Sequence, residues 1–486
     1  MIEKNNLLKA GCLLPAAVSI ASCSVNIDQT GTPTNKDATN IIFILADDLG
    51  YGELSCYNPA SFVQTPNIDR LASGGVLMTQ AYATPVSSPT RSCFLTGRFP
   101  QHVGVYGNPD GTIPGIGPFR SCFAEVLQHN GYSTAWFGKW HQGWDVSSHP
   151  LNNGFDRTYG FLGGMHDYYN PAVGDDRIGG PYARHAFVYD DLAPVEKMDY
   201  LTTELTDQFI DYINTYNREK PFFAYMAYNA PHTPLQAPEN VVRKYLDQGH
   251  SPIFATRLAL TDVLDQEIGR LVEALEKAGL RENTLIVFMS DNGPEQTNLT
   301  GGLRGRKMTV WEGGVRVPLI ASYPGHIPAG QRCNSICSIV DMAATFIGLT
   351  KGQNDYKFGD GRSLMPYFKG DKQGNVHNQL VFSIHLKGAV HAMPDARNLE
   401  LFGVRSGDWK LVVDKTNKVD ALYNLQDDLA EQNDLSSAHP DIKNKLYNEG
   451  NEFLHHSLPS CSKIHSEDTR GEGDQIIRDS LNNKYN

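Results

Sequence analysis

Four short apolar runs constrain the fold of this 486-residue chain more than any other feature. They are "NIIFILA" (40–46), "YSTAWFG" (132–138), "PFFAYMAYN" (221–229) and "NTLIVFMS" (283–290). Each is rich in β-branched or aromatic residues, the pattern of a strand buried on both faces. Between the last two, in "TDVLDQEIGRLVEALEKAGL", Leu264, Ile268, Leu271 and Leu275 fall on one helical stripe that Gly279 can close. Alternating strands and amphipathic helices predict an α/β fold with a large, mostly parallel sheet sandwiched by helices. In such a sheet the C-terminal strand ends lie along one edge, where ligands bind. Polar residues follow every run: Asp47 and Asp48, then Lys139 and His141, then His232, then Asp291 and Asn292. A single Asp pair is ordinarily a turn and a lone His a structural residue. Four clusters after four buried strands converge on one rim.

The rest of the chain frames that rim. The stretch "AGCLLPAAVSIAS" follows Lys4 and Lys9, is too short to span a bilayer and ends in small residues, as an export signal does. "IASC" resembles a bacterial lipoprotein cleavage box, which would leave Cys23 as the lipidated first residue of an exported protein in the periplasm or at the cell surface. The expected organisation is a signal segment at 1–23, a polar tether at 24–39, a catalytic domain at 40–360 and a smaller C-terminal domain at 361–486. "QLVFSIH" and "LFGVRSGDWKLVVD" suggest an antiparallel sheet, and "IKNKLYNEGNEFLHH" a closing helix, giving that second domain an α+β character. A net charge of −12 argues against nucleic acid as a partner, and only the lipid anchor would bring the chain to a membrane. No Cys-x-x-Cys pair occurs among the eight cysteines, which argues against a thiolate zinc site.

Asp47, Asp48, Asp291 and Asn292 offer hard oxygen ligands, suited to Ca²⁺ or Mg²⁺. Arg91, Lys139 and Lys307 would add positive potential for an anion, and His141 and His232 could move protons near neutral pH. In "PVSSPTRSCFLTGR" Pro89 suits the first position of a helix, and Ser88 or Ser87 its N-cap. His166 and Asp167, in "GGMHDYY", are candidate substrate contacts, and His102, Arg184 and His185 are further residues for the rim. "EGGVRVPL" reads as a structural turn into a strand.

"SSPTRSCFLTG" resembles the signature of the type I, formylglycine-dependent sulfatases of the alkaline phosphatase superfamily, with Ser87 in the Cys-or-Ser position. "ADDLGYG", "GKWH", "YNAPHTP", "SDNG" and "RGRKMTVWEGGVRVPLI" follow in family order. The resemblance implies that a dedicated maturase oxidises Ser87 to formylglycine, whose hydrated diol attacks sulfur. It implies Ca²⁺ held by Asp47, Asp48, Asp291 and Asn292 together with residue 87. His232 would protonate the leaving oxygen, and Lys307 would hold the sulfate. Arg91, Lys139 and His141 would orient the diol and help expel sulfate. The implied substrate is a sulfated carbohydrate, such as a mucin glycan or glycosaminoglycan, with galactose or N-acetylhexosamine sulfate the first guess. A phosphate ester hydrolase of the same superfamily and a non-catalytic binder of sulfated glycans are the alternatives.

Overall fold

A computed structural model describes residues 38–108, 116, 122–143, 148–174, 188–350, 359–384, 401–415 and 418–455. Cys23, the signal segment, most of the tether, Arg184 and His185 lie outside these residues. Among the described residues the large sheet has eleven strands. They are β1 (Asn40–Ala46), β2 (Val76–Tyr82), β3 (Ser133–Lys139), β4 (Arg157–Phe161), β5 (Tyr189–Asp190), β6 (Ala193–Pro194), β7 (Phe222–Ala227), β8 (Thr284–Ser290), β9 (Arg316–Ser322), β10 (Gln331–Cys333) and β11 (Cys337–Ser338). Their order is β10-β2-β9-β8-β1-β7-β3-β4-β5-β6, with β11 also on β2.

The four apolar runs are β8, β1, β7 and β3, adjacent in that order and parallel at every pairing. Antiparallel strands enter only towards the flanks, where β9 joins β8 to β2 and β5 follows β4. Strand alternation explains the uniformly apolar sequence of β1, because successive side chains serve opposite faces. Ile41, Phe43 and Leu45 pack with the helices Ser87–Thr96, Phe123–His129 and Asp341–Ile347. Ile42, Ile44 and Ala46 pack with Pro66–Ser73, Leu201–Thr215, Glu239–Leu246 and Pro252–Lys277. Each large apolar side chain so buried contributes roughly 1.5–3 kcal/mol.

The helix carrying the predicted stripe starts earlier than that stripe, at Pro252. Ser251 is its N-cap, with Oγ accepting from the Phe254 N–H at 3.4 Å, and Pro252 needs no partner for its missing N–H. It ends as expected: Gly279 has φ 69°, and the Leu280 N–H reaches the Leu275 carbonyl at 2.8 Å.

A second sheet is antiparallel, in the order β12 (Gln379–Ile384), β13 (Leu401–Ser406), β14 (Trp409–Asp414) and β15 (Val419–Asn424). Its outer face, with Phe402, Leu411 and Leu422, is covered by the helix Pro440–His455. Leu380, Phe382 and Val412 on its inner face share a core with Tyr82, Val86, Val310 and Trp311 of the larger part. The small sheet therefore buttresses both the approach to Ser87 and the loop that carries Lys307.

Candidate active site

Residues from β8, β1, β7 and β3 meet because those strands are parallel neighbours. Asp47 and Asp48 follow β1, Lys139 ends β3, and Asp291 and Asn292 follow β8. Backbone bonds lock these ends together: the Asp47 N–H donates to the Ala230 carbonyl and the Asp291 N–H to the Ala46 carbonyl, both at 3.1 Å. Asp48 adopts φ 64°, which turns the chain so that both aspartates face the cluster.

Ser87 enters from the head of the helix Ser87–Thr96, all ten residues of which are buried. The expected serine N-cap is corrected here. Val86 is the N-cap, no side chain caps the helix, and Ser87 is its first residue. Thr90 ties the helix start down instead, its hydroxyl 2.7 Å from that of Thr84. Freed from capping, Ser87 Oγ points at the charges, 3.2 Å from Asp47 Oδ1, 3.3 Å from Asn292 Oδ1 and 3.5 Å from Lys139 Nζ.

Three cations oppose three carboxylates. Lys139 Nζ lies 2.7 Å from Asp47 Oδ2, Lys307 Nζ 2.7 Å from Asp48 Oδ2, and Arg91 Nη2 3.0 Å from Asp291 Oδ2. Burial pushes the Asp47 carboxyl up to about 7 against the pull of Lys139, and nearby Asp291 adds to the rise. Burial also opposes ionisation of Asp48, but Lys307 and His232 overcome it and hold that carboxyl below its usual range. Arg91 and Lys139 do the same for Asp291.

His232 donates through Nδ1 to the Thr233 carbonyl at 2.6 Å, which turns Nε2 towards Asp48 Oδ2, 3.7 Å away. Burial, then Lys307, lower its pKa to about 3. His141 has φ 56°, and burial followed by Lys139 holds its pKa well below the usual range. Its Nδ1 is buried without a hydrogen-bond partner.

The donor set fits a divalent cation. Ligand atoms of Asp47, Asp48 and His232 come within 4.8 Å of one another. Asp291 is not among those three; its Oδ1 instead accepts the Asp48 N–H at 3.0 Å. With the carboxylates already matched by Arg91, Lys139 and Lys307, the cluster has no positive charge to spare for an anionic ester. A divalent cation would supply that excess.

The other expected residues have structural partners of their own. Asp167 organises its own loop, Oδ1 accepting the Tyr169 and Asn170 N–H groups and Oδ2 the Gln236 amide. His166 is buried, with Nδ1 2.8 Å from the Asp167 carbonyl and its ring against Phe161. The loop's use to the site is Gly164, where a Cβ would stand 2.8 Å from His141 Nε2. His102 lies beyond the far end of the serine helix, 2.8 Å from Asp360. Ten residues of helix, about 15 Å at 1.5 Å per residue, separate that end from Ser87.

Two supports escaped sequence reading. Glu53 receives both terminal nitrogens of Arg257, at 2.7 and 2.8 Å, and Arg257 Nη2 also donates to the Asp48 carbonyl at 3.0 Å. The Tyr225 hydroxyl, on β7, accepts from Arg91 Nη1 at 3.3 Å. An arginine inside an otherwise apolar helix stripe was the available signal for the first.

The comparisons with known proteins agree with this geometry. The family described as "Sulfatase" matches residues 39–352, and "N-sulphoglucosamine sulphohydrolase, C-terminal" matches 305–455. The chain is similar to N-acetylgalactosamine-6-sulfatase of Mus musculus, 30% identical over 380 residues that cover 74% of this chain and 71% of that protein. It is similar to the uncharacterized sulfatase YdeN of Escherichia coli, 28% identical with 90% and 89% coverage. Among solved structures, Ps i-CgsB in complex with k-i-k-neocarrahexaose superposes with a TM-score of 0.77 at 30% identity, covering 87% of this chain and 94% of that one.

Proposed function

This chain belongs to the sulfatase family and is a sulfuric ester hydrolase, and from that premise we propose that it removes sulfate from a sulfated carbohydrate, using formylglycine made from Ser87 and a Ca²⁺ ion. One observation carries the reading: Ser87 Oγ touches Asp47, Asn292 and Lys139 at once. A serine serving only the helix would not need all three.

The hydrated aldehyde would supply one hydroxyl to attack sulfur and a second whose collapse expels sulfate, while the cation would offset charge on the ester oxygens. Asp47, Asp48, Asp291, Asn292 and residue 87 would hold the cation. The chain's own residues do the rest. Lys139 and Arg91 fix the carboxylates that orient residue 87, and Lys307 binds a sulfate oxygen. With Nδ1–H held by the Thr233 carbonyl, His232 presents Nε2 to the sugar oxygen. It acts as the acid once Nε2 takes up a proton, which the anionic ester beside it favours, and passes that proton to the sugar oxygen as the sulfur–oxygen bond breaks. His141, braced by Gly164, orients residue 87 and assists sulfate release. The carbohydrate class is supported by the N-acetylgalactosamine-6-sulfatase relative and by the saccharide bound in the structural neighbour. The leader and Cys23 support an exported, lipid-anchored location; no described helix is long and apolar enough to cross a membrane.

The test is the mass of the tryptic peptide Leu71–Arg91 from protein purified out of its native host. Loss of two hydrogens at Ser87 is the expected result. Unmodified serine in enzyme that still cleaves sulfate esters overturns the aldehyde. Chelation should abolish turnover and Ca²⁺ should restore it; restoration by Mg²⁺ alone overturns the choice of ion.

A further inference from the structure

A non-glycine residue in the left-handed region needs an explanation, because its Cβ crowds the backbone. Among the described residues six are of this kind. Asp48 and His141 belong to the charge cluster. Asp191 and Glu431 are held by hydrogen bonds, and Lys418 lies in the turn before β15. Met308, at φ 66°, also sits in a turn, closed by the Thr309 N–H on the Arg306 carbonyl at 3.1 Å, but nothing in that turn calls for its side chain. The residue is 45% exposed and belongs to none of the apolar cores. Glycine would hold the same backbone with less strain, so the thioether costs the fold something and adds no packing to it.

Its position explains what it does. Lys307, one residue earlier, reaches Asp48 at 2.7 Å. The Met308 N–H donates to the Pro85 carbonyl at 2.9 Å, two residues before Ser87. Met308 therefore stands where the lysine loop meets the approach to the serine, at the margin of the site and facing outwards. We infer that Met308 is a specificity-determining residue whose side chain forms an apolar platform for the C–H face of the sulfated sugar ring. A flexible, polarisable thioether suits a ring whose faces are apolar and whose edges carry hydroxyls. The inference rests on the reading of the substrate as a sulfated carbohydrate.

The experiment compares the matured parent with Met308→Gly, Met308→Ala and Met308→Leu. The probes are the 6-sulfates of N-acetylgalactosamine, N-acetylglucosamine and galactose, with inorganic sulfate as a competitive inhibitor. For whichever sugar the parent cleaves best, KM should rise about fivefold to tenfold in the Gly and Ala variants, with kcat within about twofold. Leu should restore most of the loss. Inhibition by inorganic sulfate, which has no sugar to contact the platform, should not change, and Met308→Gly should melt no lower than the parent. A parent that cleaves these sugars while the Gly and Ala variants keep its KM overturns the platform alone. A parent that cleaves aryl sulfates but no sulfated saccharide, neither these nor oligosaccharides sulfated at other positions, overturns the substrate reading and the platform with it.

Discussion

Among the described residues, one cluster of buried charge lies at the ends of β8, β1, β7 and β3 and another between the two sheets. In the second, Lys410 lies 2.8 Å from Glu312 and 2.9 Å from Glu431, with all three side chains fully buried. Arg316 adds a contact to Glu312 at 3.0 Å, and the Tyr82 hydroxyl donates to the same carboxylate. Each cluster contains one carboxyl pushed up to about 7, Asp47 in the first and Glu431 in the second. A displaced titration therefore does not distinguish chemistry from architecture. Access does. At the strand ends the side chains of Lys307 and His232 are 10% and 12% exposed, whereas the junction is closed on every side. Sealed charges hold two sheets in register; charges with an opening can meet a ligand.

The comparison can be broken at either cluster. The largest expected effect is at Ser87. Ser87→Ala should lower kcat/KM on the order of 10⁴-fold or more, with the thermal midpoint essentially unchanged. Retained turnover would remove Ser87 from the chemistry. Lys410→Met should behave in the opposite way. It leaves Glu312 and Glu431 buried without their shared cation and should cost about 3–5 kcal/mol in denaturant unfolding, while specific activity of the folded protein stays within about twofold. A loss of activity larger than the loss of folded protein would mean that the junction reaches into catalysis.

The smallest effect sharpens the contrast through pH. Burial raises Glu431 against Lys410, and Glu312 adds to the rise, so the folded state keeps a proton that the unfolded chain releases near 4.5. The stability from that proton is complete below about 4.5 and is lost as pH rises through about 7. Glu431→Gln cannot ionise and should gain on the parent by about 1–3 kcal/mol across that window, read from unfolding midpoints at each end. An unchanging difference would show that Glu431 is ionised throughout.

Much of the architecture was legible because buried parallel strands have an unmistakable composition. Runs of apolar residues marked β1, β3, β7 and β8, and the rule that such strands end on one edge brought their polar followers together before any coordinates did. Supports were less visible. Glu53 and Arg257 are far apart in sequence, and nothing local marks two opposite charges as partners. The structural part of Asp167 was equally hidden: Oδ1 takes the loop's own Tyr169 and Asn170 N–H groups and Oδ2 the Gln236 amide, partners that a polar residue among glycines and tyrosines does not announce. The serine cap failed because a hydroxyl drawn into a stronger electrostatic environment no longer serves the backbone nearest to it.

The burial of the whole serine helix has a consequence for biosynthesis. Ser87 is 1% exposed at the head of a helix none of whose residues reaches the surface. Another protein's catalytic centre cannot reach that side chain once the helix has docked between the sheet and its neighbours. On the proposed mechanism, oxidation of Ser87 would have to precede folding, and a chain that folded first would be committed to inactivity. Expression without a maturase acting at the same time would yield stable, well-folded protein that no later treatment short of unfolding could activate.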